Sequence, residues 1–131
     1  MPIIHILLAG ERTDRVKKAL IEQVSAAVVE AGCGPIESVR VLIHELDGVA
    51  QNGHFGAVAV NGGTAGNHLP RVDMFMIEGR PQQVKENLIN KVKAALVEIG
   101  CGSTDKVNVT IRDVPSTAWG IGGKTAQELG R

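Results

Sequence analysis

Two short apolar runs stand out along the chain, Ile3 to Leu8 and Val72 to Ile77, each ending in a turn that holds Gly10 or Gly79. Runs of this length bounded by turn residues predict buried strands. A longer stretch follows each run. In the second, apolar residues fall at Val84, Leu88, Val92, Ala95, Leu96 and Ile99, the spacing of a helix with one buried face. Its twin spans about Asp14 to Ala31. Thr13 or Asp14 offers an acceptor to the first-turn amides, and Gly32 or Gly100 can take the left-handed conformation that ends a helix. Val39 to His44 and Val107 to Arg112 then alternate and are rich in β-branched residues, which predicts a second strand in each half.

The halves are copies. A shift of 68 residues lays Pro2–Leu46 over Pro70–Val114 without a gap, and 17 of the 45 positions are identical, including Pro2/Pro70, Arg12/Arg80, Leu20/Leu88, Cys33/Cys101 and Val41/Val109. Residues 1–60 therefore form a first β-α-β unit, 61–69 a linker rich in Gly and Asn, and 70–131 a second unit, the whole making one compact domain. A helix between two strands is a right-handed crossover, so the strands within each half lie parallel. The expected fold class is α/β (α+β): tandem β-α-β units in a four-stranded sheet with two helices on one face. The uncovered face calls for a partner, so an oligomer is expected.

Composition narrows the function. Lys and Arg number 14, as do Asp and Glu, and the aromatics are Phe55, Phe75 and Trp119. Neither a phosphate-neutralising surface nor a base-stacking platform is available, so nucleic acid is not expected as a partner. No apolar run approaches the roughly 18 residues that span a bilayer, and the first residues carry no basic leader; no membrane partner and a cytoplasmic location are expected. Cys33 and Cys101 are too few and too far apart for a zinc site or a disulfide framework, and are read as buried thiols. His5, His44, His54 and His68 show no metal or triad spacing. No metal and no cofactor are expected.

At these residues the sequence resembles the 4-oxalocrotonate tautomerases of the tautomerase superfamily, and best a fused member with two units in one chain. The likeness rests on Pro2-Ile3-Ile4-His5-Ile6-Leu7, Arg12, Ser38-Val39-Arg40-Val41-Leu42-Ile43 and Gly53-His54-Phe55-Gly56. In the second half it rests on Pro70, Glu78-Gly79-Arg80 and Trp119-Gly120-Ile121-Gly122-Gly123. The resemblance implies a keto–enol isomerase in which Pro2, freed by removal of Met1, is the base. A secondary amine that is buried and close to arginine charge is disfavoured in its protonated form and so stays basic near neutral pH. It implies further that Arg12 holds a distal carboxylate and Arg40 the carboxylate and oxygen beside the reacting carbon, with Arg80 a further anchor and Phe55 and Trp119 an apolar wall. The implied substrate is a small anionic enol or keto acid such as a 2-hydroxydienoate. The implied assembly is a homotrimer, since family members are built from six short chains.

The halves are unequal. Pro70 follows Leu69 in the chain, so its nitrogen is an amide with no lone pair to act as a base. Asn108 stands where the first half has Arg40. The first half has Gly10-Glu11-Arg12 where the second has Glu78-Gly79-Arg80, and about four extra residues precede Phe55. Two alternatives stay open: a hydratase, dehalogenase or decarboxylase of the same superfamily, and a non-catalytic binding module.

Overall fold

The computed structural model describes residues 2–46, 54–55, 58–59, 70–102 and 106–131, those at 54–55 and 58–59 by their backbone. The first half runs β1 (Ile3–Ala9), α1 (Asp14–Glu30), a single 3-10 turn at Ile36–Ser38 and β2 (Arg40–Leu46). Two short strands follow, β3 (His54–Phe55) and β4 (Val58–Ala59), which pair antiparallel. The second half repeats the plan with β5 (Arg71–Ile77), α2 (Gln82–Ile99) and β6 (Asn108–Val114), and closes with β7 (Gly120–Ile121) and β8 (Lys124–Thr125).

Helix ends obey local chemistry. Thr13 caps α1, its hydroxyl accepting from the Val16 amide at 3.3 Å. Pro81 precedes α2 without a side-chain bond, and its missing N–H is one that a helix start leaves unpaired in any case. Gly100 ends α2 in the left-handed conformation, at φ 87°, where a side chain would be strained.

The sheet order is β2-β1-β5-β6. Pairs β1/β2 and β5/β6 are parallel, as the crossovers require, while the central pair β1/β5 is antiparallel, with Ile3 opposite Phe75 and Leu7 opposite Arg71. That register joins the halves head to tail. The N-terminal start of β1 lies beside the end of β5, and the end of β1 beside Pro70.

Alternation decides the faces. Ile4, Ile6 and Leu8 of β1 and Val72, Met74 and Met76 of β5 are fully buried beneath the helices, packed against Leu20, Val24 and Val28 of α1 and Leu88, Val92 and Leu96 of α2. Cys33 and Cys101 are buried free thiols in the same core. Between the helices Lys91 Nζ pairs with Glu30 Oε2 at 3.5 Å. The open face is less apolar than its strands suggest. His5 Nδ1 lies 2.8 Å from His44 Nε2, Arg71 pairs with Asp73, and the Arg112 guanidinium lies 5.8 Å from the Phe75 ring centre. Among the described residues no helix is long and apolar enough to cross a membrane.

Candidate active site

Pro2 immediately precedes β1 and is buried. Its carbonyl accepts from the Arg40 amide at 3.1 Å, so the first residue of β2 is tied to it directly. Gly34 is the other close neighbour, for a Cβ built there would lie 4.0 Å from Pro2 Cδ. Gly34 and Arg40 open onto a cavity of about 580 Å³ that also takes in Ser38, Ile77, Glu78 and Arg80. Pro2 lies behind this wall and does not itself line the cavity.

The two arginines come from different halves. Arg40 projects from the start of β2, where its Nη1 donates to the Glu37 carbonyl at 2.6 Å and to that of Val39 at 3.2 Å. Arg80 sits in the turn after β5, its Nη1 donating to the Ile77 carbonyl at 2.9 Å. Carbonyls fix the direction of each guanidinium without cancelling its charge. Among the described residues no carboxylate lies within ion-pair distance of either. Two cations so placed can grip a carboxylate by paired charge-assisted hydrogen bonds and stabilise an enolate oxygen.

Arg12 occupies the opposite end of the sheet. Its Nη1 donates to the Ala9 carbonyl at 3.0 Å, the repeat counterpart of the Arg80 bond, and it lines a separate cavity with Pro70. The structure thus brings Arg40 and Arg80 together near Pro2 and sets Arg12 apart. Phe55 forms part of β3, but its side chain lies outside the described residues. Trp119 is buried in the closing hairpin, where its carbonyl accepts from the Ala126 amide at 2.7 Å, and it does not line the Arg40–Arg80 cavity. Gly122 and Gly123, both at positive φ, make the turn of that hairpin.

Sequence reasoning gave no site role to Glu37, Glu78 or Arg131, all of which line the cavity. Glu78 had a signal in its place beside Arg80. Arg131 had none, since it lies beyond the repeated segments. Under the Arg12 turn Lys17 Nζ and Glu45 Oε1 form an ion pair at 3.0 Å. Glu45 is held below its ordinary value by the Arg12 amide and by Lys17, and Lys17 is raised by Glu45. Among the described residues no group of three or more His, Cys, Asp or Glu side chains is arranged to hold a metal.

Comparison with known proteins agrees across the chain. A family described as "Tautomerase enzyme" matches residues 2–57 and 70–128. The 2-hydroxymuconate tautomerase of Comamonas testosteroni is 44% identical over 63 residues, which are 48% of this chain and all of that one. A Pseudomonas putida protein of the same name matches equally, at 44% over 63 residues, again 48% of this chain and 100% of the relative. Among solved structures, a fused 4-OT named R7 and described as a wild-type asymmetric trimer superposes with TM-score 0.83 at 32% identity, over 98% of this chain and 99% of that one. A native fused 4-OT gives TM-score 0.80 at 32% identity over the same shares.

Proposed function

The chain belongs to the tautomerase enzyme family, and on that premise we propose that it interconverts enol or dienol and keto forms of a small 2-hydroxydienoate or 2-oxo acid, with the Pro2 amine as base. The observation that carries this is the placement of buried Pro2 beside Gly34 and Arg40, which line a cavity shared with Arg80, the two arginines making no ion pair among the described residues.

With Met1 removed, Pro2 presents a secondary amine. It accepts the hydroxyl proton of the dienol, the electron pair shifts through the conjugated system, and the ammonium returns the proton to a distal carbon. The product is the conjugated ketone, and the amine is regenerated. Burial of Pro2 and the nearby guanidinium charges disfavour the ammonium, which keeps the amine a base near neutral pH. Arg40 and Arg80 bind the substrate carboxylates, and the charge that gathers on oxygen during transfer strengthens their hydrogen bonds. Phe55 and Trp119 are assigned to an apolar wall completed by neighbouring chains. The assembly is a homotrimer, a reading supported by the trimer descriptions of the fused 4-OT structures.

The test is ultraviolet-monitored ketonisation of 2-hydroxymuconate by the purified protein and its Pro2→Ala variant, with the N-terminus read by mass spectrometry. We expect activity in the first and a loss of at least about a hundredfold in the second, the scale of general-base catalysis. Equal activity in both, or an active protein that retains Met1, overturns the reading.

A second reading rests on Glu37 and Glu78 at the same cavity. A carboxylate there can activate water for addition to an unsaturated acid while a cationic Pro2 polarises it. Hydration of such an acid without ketonisation of 2-hydroxymuconate would favour it.

A further inference from the structure

The end of the molecule around Pro70 repeats the Pro2 end without its chemistry. A cavity of about 220 Å³ opens there, lined by Leu8, Ala9, Arg12, Pro70, Cys101 and two glycines. Among the described residues Arg12 is the single charged side chain in that lining. We infer that this cavity is a second ligand site, one that binds a small monocarboxylate and releases it unchanged. The inference rests on the proposed function only in taking the Arg40–Arg80 cavity as the reacting site.

Three observations lead to it. First, the Arg12 guanidinium makes no direct ion pair among the described residues. Its Nη1 donates to the carbonyls of Ala9 and Glu11, at 3.0 and 3.2 Å, and among the described residues no carboxylate lies within ion-pair distance of it. Glu45 is near, but it is engaged with the Arg12 amide at 2.7 Å and with Lys17 Nζ at 3.0 Å. A guanidinium without a direct ion pair, facing a small cavity whose other described side chains are uncharged, favours an anion as its partner.

Second, the site is held in shape. A Cβ at Gly102 would come within 2.8 Å of Pro70 Cγ and 2.9 Å of Val107 Cγ2, so glycine lets this wall close directly on the proline ring. On the other side, Glu45 braces the turn that carries Arg12. Groups already held in place lose little freedom when a ligand arrives.

Third, the differences from the first half select the ligand and remove turnover. Asn108 replaces the arginine found at position 40, and its side-chain amide donates to the Lys106 carbonyl at 3.3 Å, leaving one guanidinium where the Pro2 end offers both Arg40 and Arg80. One anchor fits one carboxylate. The cavity holds about seven waters' worth of space, room for an acid of a few carbons. The Pro70 nitrogen is an amide and takes no proton, so a bound acid is held without reacting.

The test uses full-length Pro2→Ala protein, in which no turnover intervenes, titrated with pyruvate and followed by two-dimensional proton–nitrogen NMR. Saturable shifts at Arg12, Gly100, Cys101 and Gly102 are expected. Arg12→Gln keeps a donor for the Ala9 carbonyl but lacks the charge, and should weaken those shifts at least about tenfold. Arg80→Gln should leave them in place. The absence of shifts at Gly100–Gly102 up to about 50 mM pyruvate, or equal shifts in Arg12→Gln, overturns the inference. Because the readout needs no catalysis, failure of the Pro2 mechanism would leave these shifts intact, and failure of this site would leave ketonisation intact.

Discussion

The backbone N–H of Arg12 donates to Glu45 Oε2 at 2.7 Å, so the end of β2 braces the turn that leaves β1. At the corresponding place in the second half, Asp113 pairs with Lys85, as Glu45 does with Lys17. The extra methylene of Glu45 lets one carboxylate serve both the lysine and the turn. Its carboxyl is held below the ordinary value of 4.5, first by the Arg12 amide and then by Lys17. A group whose folded value is depressed adds stability above its unfolded value and loses it as pH falls through the folded one. Lys17, raised above 10.5, adds stability below that value and loses it as pH rises through the folded one. Urea unfolding should therefore show Glu45→Gln less stable than the parent between about pH 6 and pH 9, with the difference vanishing in acid. A difference that persists in acid would assign the effect to packing.

Arg80 and Arg12 are repeat partners with the same carbonyl anchor, but Arg80 shares its cavity with Arg40 near Pro2. Arg80→Ala is expected to lower kcat/KM for 2-hydroxymuconate by about 10- to 100-fold, the range of one charged hydrogen-bonding group. Arg12→Ala should cost less. Steady-state kinetics on both variants decide the order, and the reverse order would move the reacting site to the Pro70 end.

Arg40 grips the Glu37 carbonyl and faces the cavity with the rest of its planar fork. Arg40→Lys keeps the charge and loses the fork, so a rise in KM with a fall in kcat/KM of about tenfold is expected. Unchanged kinetics would mean that Arg40 serves only the turn beneath it.

Gly34 and Gly102 are repeat partners with different surroundings. A Cβ at Gly34 meets the Ser38 hydroxyl, 2.9 Å away, which can rotate aside, whereas one at Gly102 meets the Pro70 ring and Val107, which cannot. Gly102→Ala should destabilise by about 1–3 kcal/mol more than Gly34→Ala, as read by denaturant unfolding. Equal losses would place the cost in the backbone, since both glycines have positive φ.

The layered plan was legible because period and repeat agree. The apolar spacing in the second helix named Val84, Leu88, Val92, Ala95, Leu96 and Ile99; the middle four are its buried residues, and Val84 and Ile99 at its ends are partly buried against the core. Strand ends shifted by one or two positions, as at β2, which runs from Arg40 to Leu46 where Val39 to His44 was expected. Boundaries depend on pairing, and periodicity does not report it. The partner of each arginine was hidden for the same reason. The register of β1 on β5, Ile3 opposite Phe75, carries Arg80 toward Pro2 and Arg12 toward Pro70. That register is a property of two strands whose first residues stand 68 positions apart, and neither strand announces it alone. The polar pairs on the open face were equally unreadable, because alternation tells which residues share a face and says nothing of their partners.

The head-to-tail joining of β1 and β5 has a consequence for how such a chain changes over generations. Each end of the sheet is assembled from both copies, so the copies cannot drift as independent genes would. A substitution in the turn after β5 is felt beside Pro2, and one in the turn after β1 beside Pro70. Duplication inside one chain therefore relaxes selection on one end of the molecule, never on one half of its sequence, and residues freed to acquire a new role lie interleaved with those that must keep the old one.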